Sequence, residues 1–181
     1  MTILGPKVTA ATAGNSLFLA GAQLRRNCEE SIYNSLILGW SDGTLNGLLI
    51  DASKGIPTDN NLSPNGGLNF QNNIITGTTA NAVKYAPSST AATGATTASI
   101  TAWVNTPAYA NTMLANNTDA GLTAPFNYTA PDFNPGSATV PAATGATFTN
   151  AKLISSFFTP VSYKGACAVG DTWWKNWTKY M

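Results

Sequence analysis

The sequence predicts an all-β chain, and within that class a parallel β-helix with a short helical insert and a Trp-rich C-terminal cap. Three observations carry this. Two strand-like segments of similar pattern recur at a spacing of roughly 38 residues, inside the range of structural repeats. Only 9% of the residues are charged, against about 25% in an average soluble domain. The aromatic residues crowd at the C-terminus, as Trp173, Trp174, Trp177 and Tyr180.

Each element follows in chain order. Residues 15–24 form a short apolar run followed by small residues, which suits a buried strand. Residues 31–40 and 45–51 read as two further strands, separated by the turn signal Ser41-Asp42-Gly43. Residues 53–67 are rich in Gly, Pro, Asn and Asp and read as a loop. Residues 68–77 read as the next strand. The run Ile32-Tyr33-Asn34-Ser35-Leu36-Ile37-Leu38-Gly39 aligns with Phe70-Gln71-Asn72-Asn73-Ile74-Ile75-Thr76-Gly77. The shared pattern is apolar, any, Asn, small polar, two aliphatics, any, Gly. The spacing leaves room for two coils of about 20 residues each. On that reading Asn at a corner hydrogen-bonds its equivalent one coil away, and Gly supplies the positive φ of a sharp turn. The competing reading is a sandwich of strands that share turn chemistry.

Beyond residue 97 the pattern changes. Residues 99–105 suit one or two helical turns, and residues 107–114 suit a second helix with Pro107 at its first position. Trp103, Tyr109 and Met113 are the expected anchors to the core. Residues 116–150 read as an extended segment pinned by Phe126, Phe133 and Phe148. The expected division is residues 1–97 as coils and 98–181 as helices, extended segment and cap, in one structural domain.

Composition excludes several functions. The chain of 181 residues has nine Lys and Arg against eight Asp and Glu, for a net charge of +1, and no His. A nucleic-acid binder needs clustered Lys and Arg to neutralise phosphates. His-dependent triads and His-ligated metal sites are ruled out within this chain. No apolar run approaches the length of a membrane span. The apolar fraction is 44%, enough for a core and unlike a disordered chain. The opening residues carry no signal-peptide pattern. The chain is therefore either cytoplasmic or a piece of a longer secreted protein. Sparse Lys and Glu with abundant Thr and Asn favour the second, with an extracellular or cell-surface location.

A resemblance enters on three motifs. The first is Gly21-Ala22-Gln23-Leu24-Arg25-Arg26-Asn27 followed by Ser31-Ile32-Tyr33-Asn34-Ser35. The second is Thr101-Ala102-Trp103-Val104-Asn105-Thr106, with Leu122-Thr123-Ala124-Pro125-Phe126-Asn127 downstream. The third is Tyr163-Lys164-Gly165-Ala166 ahead of Trp173, Trp177 and Tyr180. In this order they resemble the C-terminal region of Bacteroidetes-type secreted or cell-surface β-helix proteins, over roughly Leu4 to Tyr180. Cys167 stands where the family has Phe, and Asn176 where it has Gly before the second Trp. The resemblance implies a right-handed β-helix related in shape to pectate lyases, with earlier coils upstream. It implies no established activity.

Several candidate sites follow. Arg25 and Arg26 beside Glu29 and Glu30 form the densest charge cluster. An Arg fork there suits an acidic sugar or carboxylate, and a salt-bridged corner is the plainer reading. Asp42, Asp51 and Asp59 suit turns, and Asp42 and Asp51 are the candidate ligands for a Ca²⁺ ion, the one cofactor considered. Trp173, Trp177 and Tyr180 share one helical face and suit a hydrophobic cap. That leaves Trp174, with Tyr109 and Tyr128, as the aromatic rings expected to be exposed for a polysaccharide. Cys28 and Cys167 are the two cysteines, either one disulfide or two buried thiols.

The expected function is a structural or interaction role: a stalk, an adhesin or an extracellular assembly subunit. Its partners would be upstream coils or neighbouring subunits. A polysaccharide-binding module is the alternative, and a Ca²⁺-dependent polysaccharide lyase stands further off. Neither nucleic acid nor a membrane span is expected.

Overall fold

Among the described residues, short apolar stretches bounded by Gly, Asn and Asp turns set eleven short strands. They are β1 (Thr2–Leu4), β2 (Ala20–Arg25), β3 (Ile32–Tyr33), β4 (Leu36–Ser41), β5 (Asn46–Asp51), β6 (Phe70–Gln71), β7 (Ile74–Gly77), β8 (Val83–Ala86), β9 (Thr112–Leu114), β10 (Leu122–Ala124) and β11 (Asp132–Pro135). Two α-helices join them, α1 (Thr79–Ala82) and α2 (Thr97–Val104). The structure, a computed structural model, describes residues 1–8, 17–41, 43–77, 79–90 and 93–175.

The strands form four separate small sheets among the described residues. Three are parallel, in the orders β1-β4-β7-β9, β2-β5-β8 and β3-β6. The fourth is the antiparallel pair β10-β11. The right-handed parallel β-helix expected from the sequence is therefore corrected. Among the described residues, no sheet is closed or continued as a solenoid. The strands are only two to six residues long, and the offset between partners changes from one strand pair to another. Ala20 pairs with Asn46, Leu48 with Val83 and Leu36 with Ile74. Loops of very different length between the strands account for this.

The two similar segments do meet, but directly rather than through an intervening coil. Ile32 pairs with Phe70 and Leu36 with Ile74. The Asn72 Nδ2 donates to Asn34 Oδ1 at 2.6 Å. Both Asn residues take positive φ, 49° and 59°, a region that Asn tolerates better than most residues. Gly39 and Gly77 close the same pattern, again at positive φ. A Cβ on Gly39 would sit 2.9 Å from the Lys7 carbonyl oxygen, and one on Gly77 2.8 Å from the Ser41 Cβ. Glycine answers both the dihedral and the close approach there.

The core lies between the parallel sheets. Leu24, Ile32, Ile37, Leu48, Ile50, Leu68 and Phe70 are buried in one cluster. Helix α2 closes it with Ile100 and Val104. Its start is set by a capping box, in which Thr96 and Ser99 bond each other's backbone amide. Trp103 and Met113 pack against the cluster, and the Trp103 indole N–H donates to the Ser63 carbonyl at 2.8 Å.

Two local expectations change. The strand read over residues 15–24 begins only at Ala20, and Leu17, Phe18 and Leu19 are exposed. The second helix read over 107–114 is one short 3-10 turn, Pro107–Tyr109. Ala110 at φ 51° ends it, and residues 112–114 extend as β9 beside β7.

Candidate functional site

The pairing of β2 with β5 decides the chemistry of one corner. It sets Arg25 opposite Asp51, where both strands end. The Arg25 Nε lies 3.2 Å from Asp51 Oδ2, without the alignment of a hydrogen bond. The Gln23 Nε2 donates to the same oxygen at 2.8 Å. The Ser53 amide and hydroxyl both donate to Oδ1, at 2.9 and 2.6 Å. Burial acts to raise the Asp51 carboxyl pKa. The Ser53 hydroxyl and amide, the Gln23 amide and the Arg25 charge outweigh it and hold the carboxyl below its usual value. The Arg25 side chain is 38% exposed, so solvent screens the ion pair and the hydrogen bonds dominate.

This arrangement corrects one expectation. Arg25 pairs with Asp51 rather than with Glu29 or Glu30, and no ion pair links either Arg to either Glu among the described residues. The two Asp51 oxygens already face four donor groups: the Ser53 amide and hydroxyl, the Gln23 amide and the Arg25 guanidinium. Asp59 is also engaged, accepting from the Tyr85 hydroxyl at 3.1 Å. Asp42 lies outside the described residues. Among the described residues, no three His, Cys, Asp or Glu gather as a metal site.

A pH prediction follows for Asp51. A depressed carboxyl contributes stability above its unfolded pKa of about 4 and loses it as pH falls through the folded value. Asp51→Asn is expected to cost about 1–2 kcal/mol at neutral pH. The gap to the parent should close as pH drops below about 4. Urea melts across that range measure it, and a gap independent of pH would contradict the assignment.

Just past this corner lies an open cavity of about 450 Å³, lined by Arg26, Asn27, Lys54, Gly55 and Ile56. The β2–β5 register explains it, because the turns leaving the two strands must lie side by side. Arg26 and Asn27 are consecutive residues at positive φ, 56° and 62°. The Asn27 amide donates to the Thr58 hydroxyl at 3.1 Å, and Asn61 Nδ2 donates to the Asn27 carbonyl at 2.8 Å. Sequence reasoning found Arg26 and missed Lys54, Gln23 and Ser53. The signal it lacked was the register.

A second cavity, of about 370 Å³, lies beside the edges of β1 and β3. Met1, Tyr33, Lys152, Leu153 and Phe158 line it. Phe157, 83% exposed, stands edge-on to Phe158 with ring centroids 5.1 Å apart. None of these residues was a sequence candidate, because an apolar pair in a loop has no periodic pattern to mark it.

The aromatic candidates do not form a platform. Trp174 is 3% exposed, packed on Phe133 and Trp173. Its neighbour Trp173 is the exposed ring, reversing the expectation. Tyr109 is half-buried, set edge-on to Trp103, and accepts from the Ser63 hydroxyl. Tyr128 is exposed. Trp177 and Tyr180, the rest of the proposed cap face, lie outside the described residues. Cys28 and Cys167 are two free thiols rather than a disulfide. Cys28 packs beside the main core cluster, and Cys167 is buried with Trp173 as its hydrogen-bond partner. No helix among the described residues is long and apolar enough to cross a membrane.

The chain matches no protein-family model, no curated protein and no solved structure. The resemblance drawn from the three motifs gains no support from these comparisons.

Proposed function

We propose that this chain is a structural or interaction subunit of an extracellular or cell-surface assembly, and that it joins a second copy of itself. The observation that carries this reading is the apolar surface beside the edges of β1 and β3. There Phe157 and Phe158 stand as an exposed pair next to the cavity lined by Met1, Tyr33 and Leu153. Among the described residues, β1 pairs only with β4 and β3 only with β6. Both are therefore edge strands of their sheets, the position at which a further strand is added when chains associate. The net charge of +1 sets little long-range repulsion between two copies.

The enzyme readings have weaker support. Both Asp51 carboxylate oxygens and one of Asp59's accept from protein donors. The buried Trp174 removes one of the three rings of the aromatic polysaccharide platform.

Size-exclusion chromatography with light scattering, over a wide concentration range, tests the proposal. The mass should rise with concentration toward a dimer. Phe157→Asp should weaken the association at least about 10-fold, as a buried interface aromatic does. Its thermal melt should be unchanged, since Phe157 is exposed in the monomer. A chain that stays monomeric throughout, or a variant that associates equally well, would overturn it.

A further inference from the structure

We propose that the corner where β2 and β5 end binds the carboxylate or sulfate group of an anionic glycan, with Arg26 and Lys54 as the contacting cations. This site uses none of the residues of the self-association surface and stands or falls apart from it. Of the nine basic residues in the chain, three meet here, and Asp51 is spoken for by Arg25. Arg26 and Lys54 line one cavity, and neither has an ion-pair partner among the described residues. Glu29, the acid three residues on from Arg26, lies against Gly67 instead.

The backbone under both cations is held in place. Arg26 precedes Asn27, whose amide and carbonyl are bonded to Thr58 and Asn61. Lys54 follows Ser53, whose amide and hydroxyl hold Asp51. Only the two side chains need be ordered by a ligand, so less entropy opposes binding. Arg26 also occupies a left-handed conformation, at φ 56°, that disfavours any residue with a Cβ. The turn keeps Arg there although glycine would fit with less strain.

The surroundings select the ligand. Arg offers a planar fork that matches the two oxygens of a carboxylate or sulfate, and Lys adds a point charge. Asn61 donates to the Asn27 side-chain oxygen at 2.9 Å, which leaves the exposed Asn27 NH₂ as a further donor. Ile56 is 61% exposed beside the cations, an apolar surface for the C–H face of a sugar ring. A Cβ on Gly55 would meet no atom within 4 Å, so a chain-like ligand can enter and leave. A nucleic acid needs a track of cations along its phosphates, and this site holds one pair.

Calorimetric titration of the full chain tests this with four probes: a uronate oligosaccharide, a sulfated oligosaccharide, a neutral oligosaccharide of equal length and a single-stranded oligonucleotide. One or both anionic glycans should bind, more weakly as salt rises, and the arm that binds tells carboxylate from sulfate. The pair Arg26→Gln with Lys54→Gln should weaken that binding at least about 10-fold at an unchanged melting temperature. Lys84→Gln, which removes an exposed cation on β8, should leave it intact. The proposal is overturned by equal binding of the neutral glycan, by tighter binding of the oligonucleotide, by binding that survives the double substitution, or by no binding of either anionic glycan.

Discussion

Asn73→Ala should destabilise the chain by about 2–4 kcal/mol, because it strands two buried backbone groups at once. Asn73 is fully buried on the link between β6 and β7. Its Oδ1 accepts from the Ser35 amide at 2.9 Å, and its Nδ2 donates to the Ile32 carbonyl at 2.9 Å. Ile32 opens β3 and Ser35 sits on the β3–β4 link, so one side chain ties together the neighbouring strands. The arrangement repeats one strand further on. The Asn73 amide donates to Asn111 Oδ1 at 2.9 Å, and Asn111 Nδ2 donates to the Phe70 carbonyl at 2.7 Å. Alanine at 73 offers neither donor nor acceptor, and no water reaches a site with no exposed surface. Asn60→Ala, at an exposed turn position, should stay within about 0.5 kcal/mol. Urea denaturation of the three proteins decides it. A loss below about 1 kcal/mol for Asn73→Ala would mean that the two bonds do not hold the links together.

That bond pattern shows what could be read in advance. The alignment of residues 32–39 with 70–77 identified segments that do pair, and it singled out Asn34 and Asn72, which do bond. It set Ser35 against Asn73 as two small polar residues. It could not tell that one side chain would serve the other's backbone. The third member, Asn111, was hidden because Pro107 is as suited to a helix start as to the single turn that forms. Spacing alone also could not say how many strands lie between two similar segments, and here the answer was none. The corner of Arg25 and Asp51 was less legible still. β2 and β5 share only a Gly, an apolar residue, an aliphatic and a terminal charge at matching positions, and their register follows from burying Ala22 and Leu24 beside Leu48 and Ile50. A one-residue slip would have turned those side chains outward and separated Arg25 from Asp51. Trp174 is buried by Phe133, a neighbour that no local pattern could supply.

Phe70→Ala should cost about 3–5 kcal/mol, the most of any single substitution considered. Phe70 is fully buried, opposite Ile32 across the β3–β6 pair. Its neighbours in the cluster come from separate elements: Ile37 of β4, Leu48 and Ile50 of β5, Ile75 of β7 and Val104 of α2. Elements already tied by their own sheet hydrogen bonds cannot all move inward, so the space left by the ring would remain a cavity. Phe157→Ala, where the ring is 83% exposed, removes the same atoms from a site that buries few of them and should fall within about 0.5 kcal/mol. Equal costs at the two positions would contradict the core described above. Phe70 and Asn73 should also be coupled, since Ile32 stands opposite Phe70 across the β3–β6 pair and its carbonyl accepts from the Asn73 side chain. Once the ring is gone and β3 has loosened, removing the Asn73 side-chain amide has less left to break. The double substitution should therefore cost less than the sum of the single ones, by an amount on the order of 0.5–3 kcal/mol.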